Sequence, residues 1–267
     1  MGKLLKQVNL MRYLQVLIIA VLTMALAFSM PVSGAGVPQV ISADNPPLPK
    51  PVGRVVWVKG VLKAVMENNE ERILQKTSLI YEKDTLITDP ASQAQIVFTD
   101  NSLMTFREGT KFVISQYSYK PSNQSGSVGK YVMSLIEGGF RTITGAIAKG
   151  NPSDYQVNTP VATIGVRGTD YAVYINHGEL YVGYYTGKPC VTNRGGSQKE
   201  LCLDQQNPYG YVQSAEIAPV PISQRPEVFN QKLEIIPAHI TPFSATDQAP
   251  VYTPRGGGPI SSFCITQ

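Results

Sequence analysis

Three sets of side chains in this 267-residue sequence could do chemistry. Cys190 and Cys202 flank a short segment centred on Gly195-Gly196. A hairpin tip at those glycines would place the two sulfurs opposite each other on adjacent strands. In an oxidising compartment the pair is expected to be a disulfide. In the chain-entropy picture a loop of this size contributes about 2–3 kcal/mol. The alternative is two reduced thiols. No metal centre is expected, because His177 and His239 are the only histidines and no further ligand lies near the cysteines in sequence. Cys264 is left over, as a free thiol or an intermolecular link.

The acids are the second set. Asp84, Asp89 and Asp100 could in principle supply the carboxylate pair of a glycosidase. Acids bordering β-turns are more often turn formers, and that is the expectation here. His177 sits in Asn176-His177-Gly178-Glu179, which reads as a hairpin turn, and neither a nucleophile nor an orienting partner is evident for it. The sequence has no Gly-x-Ser-x-Gly elbow, no phosphate-cradling glycine loop and no His-Glu-x-x-His helix. It is expected to be no enzyme and to carry no cofactor.

The third set is aromatic. Of 14 tyrosines, Tyr171, Tyr174, Tyr181, Tyr184 and Tyr185 fall within fifteen residues. On a strand, Tyr181, Gly183 and Tyr185 share one face, with Val182 and Tyr184 on the other. Tyrosines on a β face can stack sugars or dock a protein, or form half-buried cross-strand pairs. Tyr181, Tyr185 and the cationic Arg167 make a candidate binding surface. Trp57 is expected in the core.

These residues need a scaffold and an address. Lys3, Lys6 and Arg12 precede an apolar run from Tyr13 to Met30, and the first acid is Asp44. This is the pattern of a secretory signal peptide with a small-residue exit at Ser33-Gly34-Ala35. The alternative is an uncleaved anchor, since a span needs roughly 20 apolar residues. Either way the bulk of the chain is expected outside the cytoplasm, periplasmic or secreted. Membrane contact would come only through an uncleaved leader. Three of the 23 basic residues lie in that leader, which leaves 20 against 19 acids. So balanced a charge argues against nucleic acid, which needs a concentrated basic surface.

After a Pro-rich linker the sequence reads as short β-strands between glycine and polar turns. Val55–Val58, Val61–Val65, Leu86–Thr88, Gln93–Thr99, Leu103–Phe106 and Lys111–Tyr119 alternate or are β-branched. Tyr131–Glu137, Gly139–Ile143, Tyr155–Asn158, Asp170–Asn176, Glu179–Tyr185 and the cysteine hairpin follow. No segment keeps a helical period over ten residues. The expected fold is all-β, a single twisted β-sandwich or a solenoid-like roll. The expected division is 1–35 leader, 36–52 linker, 53–213 β domain and 214–267 a Pro/Gly-rich tail. Within that tail only Pro226–Leu233 could form a short helix, with Pro226 in its first turn.

The segment Asn158-Thr159-Pro160-Val161-Ala162-Thr163-Ile164-Gly165-Val166-Arg167-Gly168-Thr169-Asp170 resembles the signature closing the FecR domain, an all-β module of bacterial envelope proteins. Gly53-Arg-Val-Val-Trp-Val-Lys-Gly60, Tyr81-Glu-Lys-Asp84-Thr-Leu-Ile-Thr88, the turn Asp100-Asn101-Ser102 and Gly138-Gly139-Phe140-Arg141 match its earlier parts in order, so the resemblance covers about residues 53–177. Asn101 stands where that turn usually has glycine; asparagine tolerates left-handed backbone. Thr159, Pro160, Arg167, Gly168, Thr169 and Asp100 are the family-signature positions. Physically, Pro160 suits a strand start, and Gly165 and Gly168 suit a bulge or tight crossing. Arg167 reads as a brace against Asp100 or Asp170, or as a ligand contact. Only about a dozen residues precede the apolar run, too few for the cytoplasmic sigma-regulating half of the family's regulators. The resemblance implies a non-enzymatic envelope module that binds a protein in signalling or scaffolding. Peptidoglycan or polysaccharide binding through the tyrosine-rich strands is the alternative.

Overall fold

The computed structural model describes residues 50–121, 128–231 and 233–236. The leader, nearly all of the linker, His239, Cys264 and the chain beyond Ile236 lie outside the described residues. The fold is all-β, as the alternation in the sequence indicates. Its strands are β1 (Pro51–Lys59), β2 (Leu62–Val65), β3 (Glu71–Leu74), β4 (Leu79–Tyr81), β5 (Thr85–Thr88), β6 (Gln93–Phe98), β7 (Leu103–Phe106) and β8 (Lys111–Lys120). They continue with β9 (Val128–Ile143), β10 (Tyr155–Asn158), β11 (Ala162–Asn176), β12 (Glu179–Asn193), β13 (Glu200–Cys202), β14 (Tyr209–Val212) and β15 (Val220–Ile222). One helical turn, α1 (Ala146–Gly150), follows β9.

All these strands belong to one sheet that forks at β9. The first half of β9 pairs with β8 on one edge and, in parallel, with β10 on the other. Its second half pairs with β7 and β11. The change of partners falls at Gly138, whose φ of +76° admits no ordinary side chain without strain. One arm runs β9-β7-β6-β1-β4, and the other runs β9-β8-β5-β2-β3. The arms close on each other through aromatic side chains. Phe106 of β7 meets Phe112 of β8 with ring centroids 5.0 Å apart, and Phe98 of β6 lies 4.9 Å from Tyr131 of β9. Edge-to-face geometry recurs, as between Phe112 and Phe140 at 80°, which suits the quadrupole of the rings. Alternate residues fill this core: in β5, Leu86 and Thr88 are buried between half-buried neighbours.

Several expectations need correction. β3 and β4 were not legible as strands, because Glu71–Leu74 carries one charged and one apolar residue on each face and Leu79–Tyr81 is only three residues long. β11 and β12 each run 15 residues, far past the segments expected. Pro51 and Val52 belong to β1, and β15 lies beyond residue 213. Where a short helix was expected in Pro226–Leu233, the described residues form one 3-10 turn, Glu227–Phe229, capped by Pro226. Trp57 is half-buried and outside the core cluster. A register shift between Val55 and Trp57 places Trp57 opposite Gln95, which faces away from the core.

Candidate functional site

Residues directly opposite each other in antiparallel strands point to the same face. Following the register across the sheet gives one transverse row: Trp57, Gln95, Thr105, Arg141, Ala172, Gly183, Tyr209 and Ile222. It crosses β1, β6, β7, β9, β11, β12, β14 and β15 on the side away from the core. The described residues between Arg225 and Ile236 lie along most of this row as a strap.

The strap is anchored at one end by Phe229. Its ring stacks on Tyr209, centroids 5.9 Å apart and 24° between planes, and sits against the open face of Gly183. Arg225 donates to the Phe229 carbonyl and closes the 3-10 turn. From there the strap's backbone is held by side chains of the row and its neighbours. Arg107 donates from Nη1 to the Val228 carbonyl at 2.9 Å and from Nη2 to Gln231 Oε1 at 2.8 Å. Arg141 Nη1 donates to Leu233 O at 3.2 Å, and Thr105 Oγ1 to Glu234 O at 3.2 Å. Gln95 then treats Ile236 as a strand would: its Nε2 donates to the carbonyl at 3.2 Å and its Oε1 accepts from the N–H at 3.1 Å. Leu233, Glu234 and Ile236 therefore step across β9, β7 and β6, two interstrand spacings or roughly 10 Å, so this stretch is extended. Most of these contacts read backbone groups, and Phe229 and Leu233 supply the buried apolar anchors.

Two arginine–tyrosine pairs frame the middle of the strap. The Arg107 guanidinium lies 3.9 Å from the centroid of Tyr174, and that of Arg141 lies 4.1 Å from Tyr185. Arg141 is also held side-on by Asp170, Nε to Oδ1 at 2.9 Å and Nη2 to Oδ2 at 2.8 Å. These bonds hold its guanidinium even more firmly protonated than usual. Between the pairs a small gap remains under the strap, lined by Arg107, Ala172, Tyr174, Tyr185, Phe229 and Leu233 among others. Arg107 Nε is buried there without a hydrogen-bond partner among the described residues.

The candidate residues read from the sequence separate into two groups. Tyr185 belongs to this face, is 39% exposed, and borders the gap. Tyr181 shares its face but not the strap; its ring lies 5.1 Å from that of Tyr211 across β12 and β14. The hydroxyls of Tyr211 and Tyr181 both donate to Glu179, at 2.6 and 3.0 Å, which lowers the pKa of that carboxyl. The same bond pushes the Tyr211 phenol up to about 12. Val182 faces the core and Tyr184 packs against it, as the alternation requires.

The signature positions are structural with one exception. Thr159 is buried and caps the turn into β11, accepting from Ala162 N at 2.9 Å and donating to Ala162 O at 2.8 Å, with Pro160 inside that turn. Gly168, at φ +56°, forms the bulge between Arg167 and Asp170. Gly187 comes so close there that a Cβ would lie 2.4 Å from the Gly168 carbonyl. Gly165 shows no such approach, so the tight crossing involves Gly168 alone of that pair. Thr169 is buried and pairs with Thr144 through both N–H and carbonyl. Asp100 is buried, accepts from Ser102 N and Oγ at 3.0 and 2.6 Å, and meets the first turn of α1 through Ile147 N at 3.4 Å. Asn101 takes φ +64°, the left-handed geometry expected of the glycine substitute. Arg167 is exposed, and its side chain makes no ion pair or hydrogen bond with a described residue. Arg141 takes the bracing role on Asp170 that the sequence suggested for Arg167.

The remaining acids are engaged. Asp84 receives Arg72 at 2.6 Å and Tyr81 N at 2.9 Å, and Asp89 pairs with Lys63 at 3.1 Å. His177, at φ +50°, is the exposed corner of the two-residue turn joining β11 to β12. Cys190 and Cys202 are a disulfide between cross-strand partners of β12 and β13. Sequence reasoning missed Gln95, Thr105 and Arg107 altogether and met Arg141 only inside a motif. A polar residue at the outward position of an otherwise apolar strand, as in Gln95 between Ala94 and Ile96, was the available signal.

Residues 84–188, less than half of the chain, match the protein family described as FecR protein. A 134-residue stretch, 48% of this chain, is 31% identical to an uncharacterized protein of Treponema pallidum (strain Nichols). The match covers 17% of that relative's length. Two crystal structures of an anti-sigma-factor candidate from Parabacteroides distasonis are similar at TM-score 0.40, with 17% and 16% identity. Each likeness covers 52% of this chain and 59% of that one. The family match begins at Asp84, later than the opening strand that the resemblance included, and ends before the strap. Gln95, Thr105, Arg107, Arg141 and the bulge at Gly168 all fall within the residues that match the FecR family, 84–188.

Proposed function

We propose that the protein is an exported, non-enzymatic binding module whose strap-bearing face takes an extended segment of another envelope protein, in signalling or scaffolding. The observation that carries this reading is the transverse row itself. It holds a peptide at right angles to the strands through backbone groups, as a receptor for extended chain would. A fold that needed only to bury its tail could do so with apolar contacts; here Gln95, Thr105, Arg107 and Arg141 spend polar groups on it. Export is supported by the basic-then-apolar leader and by the disulfide. No helix among the described residues is long and apolar enough to cross a membrane. The test is affinity capture from gently solubilised envelopes with the full chain and a Gln95→Ala variant. The reading expects a discrete partner retained by the first and lost from the second. Equal capture by both would set the face aside.

The second reading, sugar binding, rests on one local feature: Tyr181 and Tyr211 lie side by side with both hydroxyls on Glu179. Purified peptidoglycan should then sediment the protein in the absence of other proteins, and Tyr181→Ala should abolish this. Tyr185 is a weaker sugar platform, since the Arg141 guanidinium lies over its ring.

A further inference from the structure

We infer that the strap-bearing face is built for an acidic segment, and that the protein's own strap is a deliberately imperfect occupant of it. The inference rests on the peptide-holding reading and adds the chemistry of the partner. It starts from the two arginines under the strap. A guanidinium presents two parallel donors along one edge, Nε and the Nη on the same side, and a carboxylate fits that edge with two bonds. Arg141 is satisfied in this way by Asp170. Arg107 shows the same edge half filled. Its Nη2 meets Gln231 Oε1 at 2.8 Å, while Nε is buried without a partner among the described residues.

Gln231 offers one acceptor oxygen where a carboxylate would offer two. The orphaned Nε is a costly group to leave buried. Arg107 borders the gap that Ala172, Tyr174 and Tyr185 also line. A segment with Glu at the Gln231 position would satisfy both donors and charge-pair with Arg107. The flanking positions are already specified: an aromatic two residues earlier, where Phe229 stacks on Tyr209, and a leucine two residues later, where Leu233 is buried. The partner segment therefore reads aromatic-x-acid-x-leucine, turning at the aromatic as the strap does and extended from the leucine onward. Its backbone is captured by Arg141, Thr105 and Gln95 as the strap's is. The strap holds the same site with a neutral amide, so an acidic segment outcompetes it.

The test uses the full chain with Phe229→Ala, which loosens the strap while leaving the row intact. Two labelled peptides of residues 225–236 are titrated against it by fluorescence anisotropy, one native and one carrying Gln231→Glu. The acidic peptide is expected to bind about tenfold tighter, as a charge-assisted pair is roughly twice as strong as a neutral one. Arg107→Gln in the same background should make the two peptides equal. Equal binding to the Arg107 protein would overturn the acidic preference and leave the peptide-holding face standing. Binding of neither peptide would overturn both. In the intact chain, Gln231→Glu should slow hydrogen exchange of residues 233–236, and Arg107→Gln should remove that gain. No slowing would count against the inference even if the loosened variant failed to fold.

Discussion

Arg141 stands at the meeting point of the strands and the strap, and its side chain cannot be replaced by another cation. It donates side-on to Asp170, caps Leu233 O and lies over Tyr185. Lysine has no fork of donors and no plane to stack. Arg141→Lys is expected to cost about 2 kcal/mol in chemical denaturation, in line with charge-assisted bonds that are partly buried. A loss below a few tenths would mean that the pair with Asp170 is solvated. Asp100 carries a different signature. Burial raises its pKa above the ordinary 3.8, and the bonds from Ser102, Ile147 and Tyr117 offset this only in part. The fold thus holds this proton more tightly than the unfolded chain does. The stabilisation it brings is complete below 3.8 and is lost as pH rises through the folded value. Asp100→Asn should therefore lose ground to the parent in melting temperature as pH falls from 7 toward 4. Parallel curves would show that the carboxyl titrates normally.

The elements explain which parts of the protein were readable in the sequence. Short strands such as Leu103–Phe106 and Tyr155–Asn158 were found at their true positions, and so was the hairpin carrying Cys190 and Cys202. Reduction of that disulfide should lower stability by about 2–3 kcal/mol, seen as a lower melting temperature with reductant. An unchanged melt would remove the cross-link from the account. The face was not readable, because no short stretch of sequence encodes it. Gln95, Thr105, Arg141, Ala172 and Gly183 come side by side only through register between five strands. Even Trp57 changes sides through a one-residue bulge. The strap read in sequence as Pro/Gly-rich tail with at most one short helix, and its order comes largely from side chains 92 to 141 residues earlier in the chain, from the Arg141–Leu233 bond to the Gln95–Ile236 pair. Gly183 offers a way to test the strap as an element. A Cβ there would lie 3.3–3.6 Å from the Phe229 ring, and valine adds two methyls beyond it. Gly183→Val should raise hydrogen exchange in residues 225–236 by about tenfold or more while β11 and β12 stay protected. Unchanged exchange in the strap would mean that Phe229 does not anchor it.

At the scale of the molecule, a forked sheet closes one face around an aromatic core and leaves the other to present a transverse row. The FecR-matched residues 84–188 supply most of the donors, and the strap comes from beyond them. On the proposed reading the same surface serves two occupants, one in cis and one in trans. That is the central claim, and competition tests it most directly. An envelope protein captured by the full chain should be eluted by excess synthetic peptide of residues 225–236 and not by a scrambled peptide of the same composition. Retention of the partner at saturating strap peptide would contradict the account and place the binding surface elsewhere on the sheet.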